Sequence, residues 1–103
     1  MTGITTTPKF NPGGVLLATP GASEAFQRND QAPFEFLKRH VAGDWGEELC
    51  QEDRLLNDQA LIDGSRLLSA YKLKDGTKIW IITEAVGENG RRESSTFLLP
   101  SEY

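Results

Sequence analysis

His40 is the only histidine in this 103-residue sequence, and an imidazole is the side chain whose ordinary pKa allows proton exchange near neutral pH. General acid-base work would start there, but it needs a partner within hydrogen-bond reach. Glu84, Arg91, Arg92 and Thr96 are the candidates. Together they would compose a small metal-independent ribonuclease of the toxin kind, with His40 and Glu84 moving protons, Arg91 or Arg92 stabilising phosphate and Thr96 positioning it. The plainer expectation is that His40 flanks a helix and hydrogen bonds locally.

Other groupings point more to structure than to chemistry. Asp53 and Asn57 have helical spacing and could ligate a cation with Asp58 or Glu84, yet oxygen donors without a dense carboxylate cluster or histidine spacing make a poor metal site. Hydrogen bonding to the Gly43–Gly46 turn is their expected role, and neither metal nor cofactor is expected. Within that turn Asp44 is placed to cap the following helix and Trp45 to pack on its first turn; presenting the indole to a partner is the competing use. Cys50 lies among Glu47, Glu48 and Glu52, without the electropositive setting of a reactive thiol, and reads as a small buried hydrophobe.

Composition narrows the partners. Charged residues are 25% of the chain and hydrophobic ones 38%, as in a folded domain rather than a disordered tail. The formal net charge is −4, and seven acidic residues between Asp44 and Asp63 stand against Arg54 alone. Phosphate binding rests on clustered Lys and Arg, so this balance disfavours duplex nucleic acid and suits a basic protein surface. The longest apolar runs, Val15–Ala18 and Ile79–Ile82, fall far short of the ~20 residues that span a bilayer, so no membrane insertion is expected. The opening MTGITTTPKFNPGG lacks the apolar run of a secretory signal, and a lone cysteine has no internal disulfide partner; a cytoplasmic setting is expected.

The elements that must hold these residues read as one α+β domain over 14–103 behind a flexible arm at 1–13. Two or three N-terminal helices are expected to pack on an antiparallel sheet of three to four strands that ends in a C-terminal meander. Val15–Ala18 is a short apolar strand, expected buried and placed at the sheet's edge to make the fourth strand. Thr19-Pro20 signals an N-cap and first helical position for a helix to Arg28. Asp30 is expected to cap a second helix that carries Phe34, Leu37 and Val41 on one stripe and stops at Gly43. A third helix is expected over Glu47–Asp63, with Leu49, Leu56 and Ala60 buried and Gly64 as its stop.

Asp75-Gly76, between two alternating apolar runs, signals a hairpin. A two-residue loop flanked by Lys74 and Thr77 would pair Tyr71 with Trp80 and Ser69 with Ile82, giving one face the residues Leu67, Tyr71, Leu73, Trp80 and Ile82. The other face would hold Leu68, Ala70, Ile79 and Ile81 beneath the helices. With helices enough for one cover, the Tyr71, Trp80 and Ile82 face becomes the expected contact surface, with Trp45 and Arg66 as further partner-binding candidates. Arg66 beside two aromatics could stack bases, but the missing basic groove makes a dimer seam or second core layer the better reading.

The run HVAGDWGEELCQEDRLLNDQALIDGSRLLSAYKL, followed by IWIITEA and STFLLPSEY, resembles a family of small uncharacterised bacterial proteins labelled plasmid-related, over about Val15–Tyr103. Here VGENGRRE lengthens the connection between the last two strands. The resemblance implies a mobile-element setting and no defined activity. The preferred expectation is thus a non-enzymatic interaction or regulatory module that binds a protein partner or a second copy. An inhibitor of host defence would make use of the acidic third helix.

Overall fold

The computed structural model describes residues 8–103. β1 (Val15–Ala18) leads through Thr19 into α1 (Pro20–Asn29), where the Thr19 hydroxyl oxygen accepts from the Ala22 amide at 3.2 Å, the expected cap. Asp30 does not cap the next helix. It closes α1 instead, in the left-handed region at φ 51°, and α2 (Pro33–Val41) begins from Ala32 without a side-chain cap. α3 (Gln51–Asp63) starts later than expected and stops at Gly64, whose φ of 81° suits a residue without a side chain.

β2 (Leu67–Lys72), β3 (Lys78–Thr83) and β4 (Ser94–Leu98) form the expected antiparallel meander. β1 joins β4 in parallel, so the four-stranded sheet is mixed, in the order β1-β4-β3-β2. It is an edge strand, as expected, but it is exposed rather than buried. A short 3-10 turn, Pro100–Glu102, follows β4. Its Glu102 carboxylate accepts from the Thr19 hydroxyl at 2.5 Å and the Gly21 amide at 3.1 Å, fastening the start of α1.

The hairpin register differs from the expected one by a single residue, and that changes which side chains share a face. Leu73 N–H donates to Thr77 C=O at 2.8 Å and Gly76 N–H to Leu73 C=O at 2.9 Å, so the loop has three residues, with Gly76 at φ 90°. The turn chemistry is fixed from outside. Asn29 and Gln31, at the end of α1, accept from the Asp75 and Lys74 amides at 2.8 and 2.9 Å, and Arg28 donates to Asp75 and Thr77. Tyr71 therefore pairs with Ile79, and Trp80 with Ala70, on opposite sides of the sheet.

One side of the sheet, with Tyr71, Leu73, Ile79, Ile81 and Phe97, packs against Ala22, Ala25, Phe26, Phe36 and Leu37 of α1 and α2. A second cluster gathers Trp45, Leu49, Ala60, Leu67 and Ala70, with Phe10, Leu61, Leu68 and Trp80 at its margin. Leu56, expected in the buried stripe of α3, faces outward with Leu55 and Ile62. Of the expected arm, residues 1–7 lie outside the described residues. Lys9 is bonded through its amide to Val41 C=O at 2.7 Å, and Phe10 packs on His40 and Trp45.

The two sheet edges are treated differently. Along β2, the buried Asn57 amide donates to Leu68 C=O at 2.6 Å and its oxygen accepts from Leu68 N–H at 3.0 Å, so the side chain stands in for a missing strand. The loop before α3 continues the cover, with Ala70 N–H donating to Trp45 C=O at 2.9 Å and Glu48 N–H to Ala70 C=O at 3.3 Å. Asn57→Ala should leave both Leu68 groups unpaired and cost about 2–3 kcal/mol. A lowered urea midpoint at unchanged slope would check this.

Candidate functional site

His40 is fully buried on the helix-covered side of the sheet, held by the C-terminal turn of α2 between Ser69 of β2 and Thr83 of β3. Its Nδ1 lies 2.5 Å from Ser69 Oγ and its Nε2 2.8 Å from Thr83 Oγ1. Thr83 Oγ1 is 2.6 Å from Ser95 Oγ, and Ser95 donates to the Pro12 carbonyl at 2.7 Å. The direction of the protons from Ser95 back to Nε2 follows from that last bond. A carbonyl only accepts, so Ser95 spends its proton on Pro12, Thr83 must donate to Ser95, and His40 Nε2–H must donate to Thr83. The burial that holds the imidazole neutral then makes Nδ1 the acceptor of the Ser69 proton.

The surroundings enforce that neutrality. Burial, and secondarily the positive charge of Arg92, push the His40 pKa down to about 3. The rings of Phe10 and Trp45 lie with their centroids 5.0 and 6.0 Å from that of His40, both edge to face. Ser69, Thr83 and Ser95 are themselves fully buried. A base or nucleophile must touch its substrate, and this chain of hydroxyls and imidazole is sealed from one.

Of the other members of the expected acid-base set, Arg92 comes near enough to lower the His40 pKa, and none hydrogen bonds to the imidazole. Glu84 and Arg91 are exposed. Thr96 pairs with Ile82 and so points to the opposite side of the sheet from Ser95. Arg92 serves the backbone, donating to the carbonyls of Ser65, Glu84 and Ala60 at 2.7, 3.0 and 3.2 Å, with its guanidinium carbon 5.8 Å from the Phe10 ring centre. His40 bonds across the sheet rather than locally as expected.

The expected partner-binding face is likewise dispersed. Tyr71 is buried beneath α2; its phenol donates to Asp44 C=O at 2.5 Å, and burial raises its pKa. Ile82 is buried and Trp80 half-buried on the other side, with the Tyr103 ring 5.6 Å from Trp80. Arg66 is exposed and donates to the Tyr103 hydroxyl at 2.8 Å. Trp45 is buried, its indole N–H donating to Asp58 at 3.2 Å. The contact surface read from an oily sheet face is therefore corrected: the one-residue register change places Tyr71 in the core and leaves Trp80 under Tyr103.

The polar candidates also take different partners from those expected. Asp44 does not cap α3. It accepts from the Gly46 amide at 3.2 Å and from Arg39 at 2.7 Å, and the Arg39 bond holds its carboxyl below the usual range. Asp53 lies opposite the thiol of Cys50, which is exposed rather than buried. Among the described residues no cluster of three or more His, Cys, Asp and Glu side chains could hold a metal ion. No described helix is long and apolar enough to cross a membrane.

Besides Leu55, Leu56 and Ile62 of α3, the aliphatic residues left exposed include those of β1, the edge strand that was expected to be buried. Val15, Leu16 and Leu17 are 51%, 52% and 50% exposed along the free edge of β1, and no described segment lies beyond them. The strand's brevity between Gly13-Gly14 and Thr19-Pro20 fits the edge position expected for it. Neither family models, curated proteins nor solved structures give a match to this chain.

Proposed function

We propose that this protein is a non-enzymatic interaction module that binds a protein chain, a partner or a second copy, through the open edge of β1, in the mobile-element setting its sequence resemblance implies. The observation that supports this reading is the contrast between the two sheet edges. β2 is covered by Asn57 and the Trp45–Glu48 loop, whereas β1 offers backbone groups unpaired among the described residues and three half-exposed aliphatic side chains. An edge of that kind recruits an extended segment of a partner, the backbone giving affinity and alternate side chains giving selectivity. The sealing of His40 away from substrate supports a binding role over a catalytic one.

The test is retention of partner proteins from extracts of a plasmid-bearing host. Leu17→Asp, at an exposed position, should keep the circular dichroism spectrum and melting behaviour of the wild type yet lose the specific partner. Ile62→Asp on the exposed face of α3 should keep it. Equal retention by both variants would remove β1 from the interface.

A further inference from the structure

Resting on that reading of the β1 edge, we infer that its occupant is a second copy of β1, paired antiparallel about a two-fold axis through Leu17. Val15 N–H bonds to Glu93 C=O at 3.3 Å and Thr19 N–H to Phe97 C=O at 3.0 Å. In a parallel ladder alternate residues turn to one neighbour, so Val15, Leu17 and Thr19 serve β4, while the N–H and C=O of Leu16 and Ala18 point away from the sheet. In an antiparallel pair centred on Leu17, Leu16 of each copy stands opposite Ala18 of the other. Each such pair exchanges both backbone bonds, so every outward group finds a partner in its twin.

Side chains and charge agree with that register. Leu16 and Ala18 lie on the Ser95 and Phe97 side of the sheet, so a large residue meets a small one there. The two Leu17 side chains meet at the non-hydrogen-bonded position, where strands bring side chains closest. No charged residue occurs from Gly13 to Ser23, so identical edges approach without like-charge repulsion. A four-residue edge buries less than the ~800 Å² per partner of a stable dimer, so the association is weak, concentration-dependent and reversible.

Sedimentation equilibrium over micromolar to millimolar protein measures it, with a Cys50→Ser background for cross-linking. Wild type should pass from monomer to dimer in that range. Ala18→Pro removes an outward N–H while leaving the β4 bonds in place, and should weaken dimerisation about tenfold or more. Leu17→Cys should form a covalent dimer under mild oxidation, and Val15→Cys, displaced from the axis, should not. A monomer at every concentration, or equal cross-linking of both cysteine variants, overturns the self-pairing. If the protein stays monomeric while Ala18→Pro still abolishes capture of a host protein, self-pairing fails and the docking role of the edge survives.

Discussion

Gly46→Ala should destabilise this domain more than any other single-methyl addition. A Cβ built at Gly46 would lie 1.9 Å from the Ala70 carbonyl oxygen and 2.7 Å from its carbon, backbone atoms that cannot swing aside. The residue also holds φ at 93°, where a side chain is strained. Relief requires lifting the loop from β2, which breaks the bonds of Ala70 to Trp45 and Glu48 and withdraws the Asp44 carbonyl from the Tyr71 hydroxyl. It also disturbs the bond from the Arg54 guanidinium to the Gly46 carbonyl. The expected cost is at least about 3 kcal/mol, a large share of the 5–15 kcal/mol typical of a domain. Gly76→Ala is the control: its φ is 90° but nothing lies within 4 Å, so only the conformational strain of about 1–2 kcal/mol should appear in urea melts. Equal losses at the two positions would show that close approach to Ala70 is not the cause.

Acidification should weaken the fold from about pH 6.5 downward. The native imidazole of His40 resists protonation until about pH 3, while in the unfolded chain it accepts a proton near its ordinary 6.5. Above pH 6.5 neither state carries that proton and the native fold has its full stability. Between 6.5 and about 3 only the unfolded chain binds it, so stability falls on acidification by about 1.4 kcal/mol per pH unit. A second proton would also disrupt the hydrogen-bond chain, because Nδ1 could no longer accept from Ser69, whose hydroxyl is buried beside it. Urea midpoints at pH 7.5, 6.5, 5.5 and 4.5 should trace this fall. His40→Gln retains an acceptor and a donor without titrating, and its midpoint should be nearly flat over the same range. A wild type that is equally flat would refute the neutral, sealed imidazole.

Local signals carried far along this chain, and long-range ones did not. Thr19-Pro20, Gly43 and Gly64 mark helix boundaries because their effect is decided by their own backbone angles and nearest amides. The hairpin was visible in Asp75-Gly76, but its loop length was not, because Arg28 and Asn29 of α1 and Gln31 just beyond it grip the turn from far away in sequence. That single residue of register moved Tyr71 from a supposed docking face into the core. Asn57 was recognisable as polarity on the wrong side of a helix. Its partner was not, since the need it answers is an unpaired strand edge that exists only in the folded sheet. His40 was readable as a lone imidazole; the hydroxyls that enclose it come from three different strands.

The parallel seam between β1 and β4 sets the order in which this chain can mature. Val15 must wait for Ser94, whereas β2 and β3 meet across a tight turn as soon as both have emerged. During synthesis the aliphatic VLLA stretch therefore spends most of its early life as a naked ribbon with neither flank occupied. Contacts between such distant segments slow folding and lengthen exposure to aggregation. Newly made copies crowded on one messenger would be most vulnerable in that interval, and slowing translation ahead of residue 94 should lower the soluble yield.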